Sequence, residues 1–596
     1  MDVWQVMPFQ FLKPSTLVSV ASCLISLGSP LALCGQEIEI EVPVESIPPL
    51  LPVAGDPVNP FGARWWEDQV GRPILDTPSW VSFDVRAVVI DTLSNSPRIA
   101  AVTHQAAGAM ERIVQEDAVF DPAILLSSKY GSTNDPVGNS LTTGGPARLV
   151  EDSWNNRAGI LKTTRTGTQI DLSQQFGLLD SNSLFFQPHN QGNTRLNLSV
   201  TRPLRAGSGK IYNERLILQA RIDSKVTMQQ MRQEVQDRIA STMIVYWQLY
   251  QLRCQLIQAR ALLERGADIE QLVVARRGFD SGELEISKVN TRLARRRDAL
   301  VERERDLRNL QTQLAALVGS GSLRSENGLE MIPLGAPSVV DVDLQMRDLV
   351  INALNNRTEV RTAALDLEAA SLEISISRNE LLPKLNAIVG GYLAGLNGEN
   401  DVTRSFGDQF AEGRPGVNAG LEYEVPYGRR ASRSRSRAAH QRYLEMGERY
   451  RDAVASTTSE VEIAGRNIEA SLASMKTKQQ VLAAAANQEF LVQYRWEKLG
   501  PDGRHAALAL EDLLDQQENR SSAEQDVVAA EVNFILSLIK LQQAMGTLLT
   551  AEGIEPVQLS RSRVQWNAVP SPEVSVEVEV EPLPLMDAMI GSEPEL

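Results

Sequence analysis

Residues 89–99 read VIDTLSNSPRI, and residues 350–360 read VINALNNRTEV, the same order of apolar and polar positions 261 residues further along. At the same offset Pro122 corresponds to Pro383, and each of these prolines separates a helical pattern from a strand-like one. Two landmarks that recur at one spacing predict an internal duplication, in which a single structural unit is used twice.

The strand-like regions span residues 122–203 and 383–426, and apolar and polar residues alternate in both. A period of two is typical of strands with one apolar face, in a membrane barrel or in an ordinary sandwich. We expect two hairpins with strands of about ten residues, long enough to cross a bilayer. The longer first region is expected to carry an exposed loop, with residues 168–178 extending a strand. Four strands cannot close a barrel, so several chains would have to pool their strands.

A helical period follows each strand-like region. Residues 208–277 contain no proline, and an unbroken helix of that length would reach roughly 100 Å. Apolar residues then recur at steps of seven, which is typical of coiled-coil packing. The two rows are Ile286, Leu293, Leu300, Leu307 and Leu314, and Val527, Phe534, Leu541 and Leu548. We interpret these rows as the packing core of the helices, with no chemical role.

The composition argues against several classes of function. The chain has 59 Lys and Arg against 75 Asp and Glu, and its net charge of −16 would repel nucleic acid over most of the surface. The basic run at residues 429–437 has no interleaved aromatic residue and is interpreted as a solvated collar. No phosphate-binding loop, metal-ligand spacing or nucleophile motif is found, so we expect neither an enzyme nor a cofactor.

The N-terminal residues 1–35 combine Lys13 with an interrupted apolar stretch, which predicts a secretory signal peptide. Cys34 is a candidate acceptor for a lipid anchor, although Leu33 stands where such sites have a small residue. Beyond this region we expect no transmembrane helix, so the chain would enter a membrane as strands.

Five further segments are expected from composition and pattern. Residues 81–320 and 346–550 form the two repeats. Residues 36–80 are predicted to be a Pro-rich disordered linker, residues 321–345 a linker or equatorial segment, and residues 551–596 an acidic disordered tail.

Several stretches resemble the TolC-like outer-membrane efflux and secretion proteins. They are residues 353–360 leading to 381–383, residues 424–430, Tyr494 with Gly500, and residues 512–516. The resemblance implies a mainly α fold with transmembrane β-structure. In this fold a homotrimer pools twelve strands into one outer-membrane barrel, which continues as a coiled-coil helical tunnel in the periplasm. It also implies a periplasmic adaptor (membrane fusion) protein and an inner-membrane transporter as partners.

The same resemblance implies two sites. Asp512 and Asp515, three residues apart on a helix, would form an acidic channel constriction. The turns between the long helices would contact the adaptor, although residues 501–504 look like an insertion relative to the family. The turn residues are Arg277, Gly278, Phe279, Gly282, Lys498, Leu499 and Gly500. Plain turns and solvated helix charges are the alternative interpretation.

The sequence therefore predicts the exit duct of a tripartite efflux or type I secretion system in the outer membrane. The alternative is a periplasm-spanning coiled-coil scaffold or adhesin that transports nothing. A scaffold would not require the duplicated plan of hairpin and helices, whereas a closed tube would.

Overall fold

A computed structural model describes residues 64–276, 282–321, 323, 329–337, 344–498, 503–560 and 563–568. These residues belong to one unit, Pro48–Leu596. Some predicted features lie outside the described residues: the signal peptide, Cys34, Arg277, Gly278, Phe279, Leu499 and Gly500.

The duplication is confirmed by the order of elements. The first half contains α1 Glu67–Val70, β1 Ser79–Phe83, α2 Val85–Asn95, α3 Pro97–Asp117, β2 Ala123–Pro136, β3 Arg148–Thr163, β4 Gln169–Ser181, β5 Asn190–Pro203, α4 Lys210–Asn213, α5 Arg215–Ala275 and α6 Glu283–Val318. The second half contains β6 Leu329–Pro333, α7 Met346–Asn356, α8 Thr358–Glu380, β7 Lys384–Gly398, α9 Val402–Ala411, β8 Gly416–Glu424, α10 Arg430–Lys498, α11 Gly503–Met545, α12 Leu548–Ala551, β9 Ile554–Ser560 and β10 Arg563–Ala568.

The last long helix of each half ends on a left-handed glycine, Gly319 with φ 80° and Gly546 with φ 71°. A Cβ atom on Gly319 would lie 2.8 Å from the carbonyl oxygen of Asn95, and one on Gly546 would lie 2.9 Å from that of Asn356. Each asparagine is the last residue of a short helix, α2 or α7. The end of each long helix therefore packs against the equivalent junction between two helices in its own half. Only glycine combines the left-handed conformation with so close an approach.

The long helices match the sequence expectation. Helix α5 has 61 residues and α10 has 69. In the predicted rows, Leu307 and Leu314 of α6 and Phe534 and Leu541 of α11 are fully buried, which confirms their packing role.

The expectation that no later helix is apolar enough to cross a membrane was wrong. Residues Leu508–Met545 of α11 pass a test of length and composition, yet 67% of their most apolar stretch is buried inside the protein. This burial is typical of a core helix, because α11 packs against α5, α7 and α10.

A six-stranded antiparallel sheet has the strand order β2-β3-β4-β5-β7-β8. The expected count of four strands was wrong, because the long connection in the first region folds into the extra hairpin β3–β4 and is not an exposed loop. Strand β4 pairs along its length with β3 on one side and with β5 on the other. The pairing of β5 with β7 joins the two halves into one sheet.

Residues 64–80, the described part of the predicted disordered linker 36–80, are ordered and pack against the helices. Trp66 and Val70 are buried against Tyr250 and Cys254 of α5. The predicted linker at 321–345 likewise contains β6, which pairs in parallel with β1. These apolar residues escaped the composition argument because each is isolated among prolines and charges.

A buried ion pair fastens this segment. Arg253 Nη1 of α5 donates to Glu330 Oε1 of β6 at 2.6 Å, and both side chains are 0% exposed. The Glu330 carboxylate also accepts the backbone N–H groups of Ile74 and Leu75, at 2.9 and 3.0 Å. Every charge in the cluster is therefore neutralised or hydrogen-bonded, as burial requires.

The first part of the predicted disordered tail, residues 551–596, is ordered, because β9 and β10 form an antiparallel hairpin. Ile554 packs into the main helical core, and Val564 packs with Ala106 and Met231. These apolar contacts order the segment up to Ala568.

We expect Arg253→Met to destabilise the protein by about 3–5 kcal/mol, because it leaves the Glu330 carboxylate buried without a counter-charge. The double variant Arg253→Met with Glu330→Gln should recover most of this loss. Thermal unfolding of the detergent-purified proteins followed by circular dichroism measures the effect. Equal losses in the single and double variants would show that the charge pairing is unimportant.

Glu552 predicts a pH dependence of stability. Burial raises the pKa of its carboxyl from 4.5 to about 7, opposed by the positive charge of Arg86. The folded state therefore holds the proton more tightly, so this stabilising contribution is complete below pH 4.5 and is lost as pH rises through about 7. Glu552→Gln should raise the unfolding temperature at pH 8 but leave it unchanged at pH 4. The exposed Glu555→Gln is the matched control, and an unchanged pH slope in Glu552→Gln would contradict the assignment.

Candidate functional site: the two-faced sheet and the helix ends

One face of the sheet is apolar and open. Residues that are paired across neighbouring strands share a face, and this face carries Ile124, Leu126, Tyr130, Trp154, Ile160, Leu172, Leu198, Val389, Val417, Leu421 and Tyr423. Ile124, Val417 and Leu421 are 77%, 76% and 72% exposed. An apolar surface that crosses a whole sheet marks a contact with lipid or with another protein.

The opposite face carries the ion pairs. Arg157 and Asp171 are 2.6 Å apart, and Lys384 and Glu424 are 3.1 Å apart. The Arg195 guanidinium lies 3.8 Å from the centre of the Tyr392 ring. The sheet thus has the two-sided pattern of a transmembrane barrel, with apolar residues outward and polar residues inward.

The sheet has two open edges, because β2 and β8 each pair with only one strand. Their outer N–H and C=O groups have no partner strand within the described residues. Such edges are not tolerated in hydrocarbon, where no water satisfies them.

The turn between β3 and β4 lies next to the helices. Arg165 in this turn pairs with Asp117 at the end of α3 and with Glu214 at the start of α5, at 2.6 and 2.9 Å. The connections β2–β3, β4–β5 and β7–β8 must therefore lie at the far end of the sheet.

At the other end of the long helices, the two helix pairs share one apolar core. Val273, Leu293, Trp496 and Leu513 are buried together there. The Arg276 guanidinium lies 4.7 Å from the centre of the Trp496 ring. The described ends of the four long helices α5, α6, α10 and α11 therefore lie close together at one end of the protein.

Acidic residues of α11 near this end form ion pairs with basic residues of α6. Asp515 Oδ1 accepts from Arg292 at 2.5 Å, and Glu518 Oε2 accepts from the same guanidinium at 2.7 Å. Glu511 pairs with Lys288 at 3.2 Å. Partial burial disfavours the charge of Arg292, but the hydrogen bonds that it donates to Glu518 and Asp515 outweigh this effect and raise the pKa of its guanidinium. Asp512 is exposed.

The basic run forms a largely exposed collar where β8 meets α10. Arg429 donates to the carbonyl oxygen of Leu381 at 3.2 Å, and Arg435 pairs with Glu380 at 3.1 Å. These contacts give the run an intramolecular role at the junction of sheet and helices.

Comparison with known proteins agrees with this geometry. Residues 349–547 match the outer membrane efflux protein family. Vibrio cholerae outer membrane protein TolC is 23% identical over 201 residues, which cover 34% of this chain and 43% of TolC. Pseudomonas aeruginosa outer membrane protein OprJ is 29% identical over 238 residues, which cover 39% of this chain and 45% of OprJ. The aligned part thus spans less than half the length of either relative. The similarity to the outer membrane efflux protein family therefore lies in the second half of the chain, residues 349–547.

The fold of this chain is also shared with solved channels. The Campylobacter jejuni CmeC outer membrane channel superposes with a TM-score of 0.57 at 12% identity, covering 80% of this chain and 91% of CmeC. At this identity the likeness concerns the fold, and it confirms the expected class of β-barrel continued by a helical tunnel.

The structure gives the two predicted constriction residues different surroundings. Asp512 points to solvent, whereas Asp515 turns towards α6 and is neutralised by Arg292. Sequence reasoning missed Lys288 and Arg292 as their partners. The signal was present, because these two residues lie four apart on one face of α6, as Glu511 and Asp515 do on α11.

The described turn residues have local roles. The N–H of Gly282 donates to Glu285 Oε2 at 3.0 Å and caps α6. Lys498 lies at the end of α10, with its Nζ 5.8 Å from the centre of the Tyr494 ring.

Proposed function

We propose that three copies of this chain form the outer-membrane exit duct of a tripartite efflux or type I secretion system. The observation that carries the proposal is a two-faced sheet with two open edges, continuous with helices of 61 and 69 residues. The duct conducts passively and catalyses no reaction. The sheet spans the outer membrane, and the helices extend into the periplasm.

Closure of the barrel follows from the edges. Strand β2 begins at the helices and β8 returns to them, so β2 of one copy and β8 of the next run antiparallel and can pair. Closed rotational symmetry then leaves no edge in the lipid. Three copies of a six-stranded sheet supply eighteen strands, where the sequence alone led us to expect twelve. Barrel diameter grows roughly linearly with strand number, so the pore is correspondingly wider at the membrane.

The partners follow from the same proposal. The periplasmic adaptor meets the paired turns around Gly282 and Lys498, together with Arg277, Gly278, Phe279, Leu499 and Gly500. An inner-membrane transporter delivers the cargo through this adaptor. The closeness of Arg276 and Trp496 supports a single docking region made of both turns.

The constriction is formed by Asp512, with Asp515 in a supporting role. Three exposed Asp512 carboxylates around the tunnel axis attract cations and repel anions. The ion pair of Asp515 on α11 with Arg292 on α6 links these two helices. In this proposal Asp512 selects permeating ions by charge, and Asp515 sets the distance between α6 and α11.

Single-channel recording in planar bilayers tests the duct and its constriction together. We expect a cation-selective conductance in the parent. Asp512→Asn should reduce that selectivity several-fold, because each unit charge about 8 Å from a permeating ion is worth roughly 0.5 kcal/mol in water. Asp515→Asn should raise conductance, because it removes one of the two carboxylates that hold Arg292. The exposed Glu469→Gln on α10 is the matched control and should change neither property.

Two other results of the recording would distinguish the duct proposal from the constriction proposal. A folded, membrane-inserted protein that conducts nothing in any variant would favour the non-transporting scaffold. A normal conductance with unaltered selectivity in Asp512→Asn would retain the duct and reject the constriction.

A further inference from the structure

The short helix α9 lies on the apolar face of the sheet, near the end that faces away from the long helices. Strand β7 has 15 residues and β8 has nine, so β8 pairs only with the first part of β7, from Lys384 to Tyr392. The chain between them folds back as α9 and packs on β4, β5 and β7.

The patch beneath α9 differs from the rest of the apolar face. It consists of polar or small residues, namely Gln174, Gly192, Thr194, Gly395 and Asn397. Left open, this patch would present amide and hydroxyl groups to lipid without hydrogen-bond partners, which is unfavourable.

Helix α9 satisfies these groups. Thr194 Oγ1 donates to the carbonyl oxygen of Ser405 at 2.8 Å. The side-chain amides of Gln174 and Gln409 hydrogen-bond at 3.1 Å, and Asn397 hydrogen-bonds to Asp408. A Cβ on Gly395 would collide with the Ser405 carbonyl oxygen, so the helix backbone rests directly on the strand.

The outer surface of α9 restores apolar character over this patch. Phe406 and Phe410 are 41% and 58% exposed. Their ring centres are 5.5 Å apart, and the Phe406 ring lies 5.9 Å from that of Phe176 on β4. Arg404 and Asp408 occupy the other flank of the helix. A helix with an aromatic flank and a charged flank fits a membrane interface.

The aromatic flank continues a row that already exists on the sheet. Tyr130 of β2 pairs with Trp154 of β3, and Phe176 follows on β4 near the same height. Strands β5 and β7 carry no aromatic residue on the apolar face, so α9 supplies Phe406 and Phe410 where the row would stop. Aromatic girdles of this kind lie at the boundary of head groups and acyl chains.

We propose that α9 is an interfacial helix whose Phe406 and Phe410 insert into the outer leaflet of the membrane at the head-group boundary. A second copy of the chain is not the occupant, because copies join at β2 and β8 whereas α9 covers the interior strands β4, β5 and β7. The inference rests on the proposed insertion of the sheet in the outer membrane but not on conduction.

Spin labels at single introduced cysteines in phosphatidylcholine liposomes test the proposal by collision with oxygen, which enriches in lipid, and with a water-soluble nickel chelate. A label at Phe410→Cys should favour oxygen at least several-fold over a label at the matched control Arg404→Cys, on the charged flank of the same helix. Phe406→Cys is the second test position. The unmodified chain is the labelling blank for its three native cysteines, of which Cys254 is buried.

A label at Val417→Cys, on the apolar face of β8, reports insertion of the sheet itself. If Val417→Cys favours oxygen while Phe410→Cys favours the nickel chelate, the proposal is overturned and the membrane placement survives. Shielding of Phe410→Cys from both reagents also overturns it, because a protein contact would then cover the helix. If Val417→Cys favours the nickel chelate, the membrane placement fails, and this proposal fails with it.

Discussion

Backbone hydrogen-bonding groups cannot be left unpaired in hydrocarbon, and the two open edges of the sheet make that constraint decisive for this chain. Each unsatisfied group costs several kcal/mol in a bilayer, so β2 and β8 cannot both remain edges once the apolar face meets lipid. Pairing with further copies removes the edges and sets the polar face around a lumen. The same constraint explains α9, because the hydroxyl and amide groups of Thr194, Gln174 and Asn397 would otherwise face the acyl chains without partners.

Apolar cores stabilise the helical part. At the end farthest from the sheet, ion pairs between α6 and α11 make a smaller contribution. A core leucine such as Leu513 is worth about 2–5 kcal/mol, whereas a solvent-accessible pair such as Arg292 with Asp515 is worth about 1 kcal/mol or less. Breaking these ion pairs therefore costs much less free energy than separating the apolar cores. A helix end with a stable core and exchangeable ion pairs would suit opening of the proposed tunnel.

Periodicity in the sequence predicted what depends on local pattern. The heptad rows that contain Leu307 and Phe534 predicted the helices α6 and α11. The prolines at 122 and 383 predicted where β2 and β7 begin. The hairpin β3–β4 was missed because its lumen-facing residues, such as Ser173, are as polar as those of a loop. The partnership of Arg292 with Asp515 joins residues 223 apart in the sequence, so only the packing of the two repeats against each other brings them together. The ordered segment around Trp66 was missed because burial of a few isolated apolar residues does not alter a Pro-rich composition.

The central claim is that three six-stranded sheets close into one barrel above the helical tunnel. Electron cryomicroscopy of the detergent-purified full-length protein tests it by counting strands around the ring in cross-section. The account predicts a threefold ring of eighteen strands, in which β2 of one copy pairs with β8 of the next. A ring of twelve strands with β3 and β4 outside the wall, or a single chain whose sheet edges stay open, would contradict it.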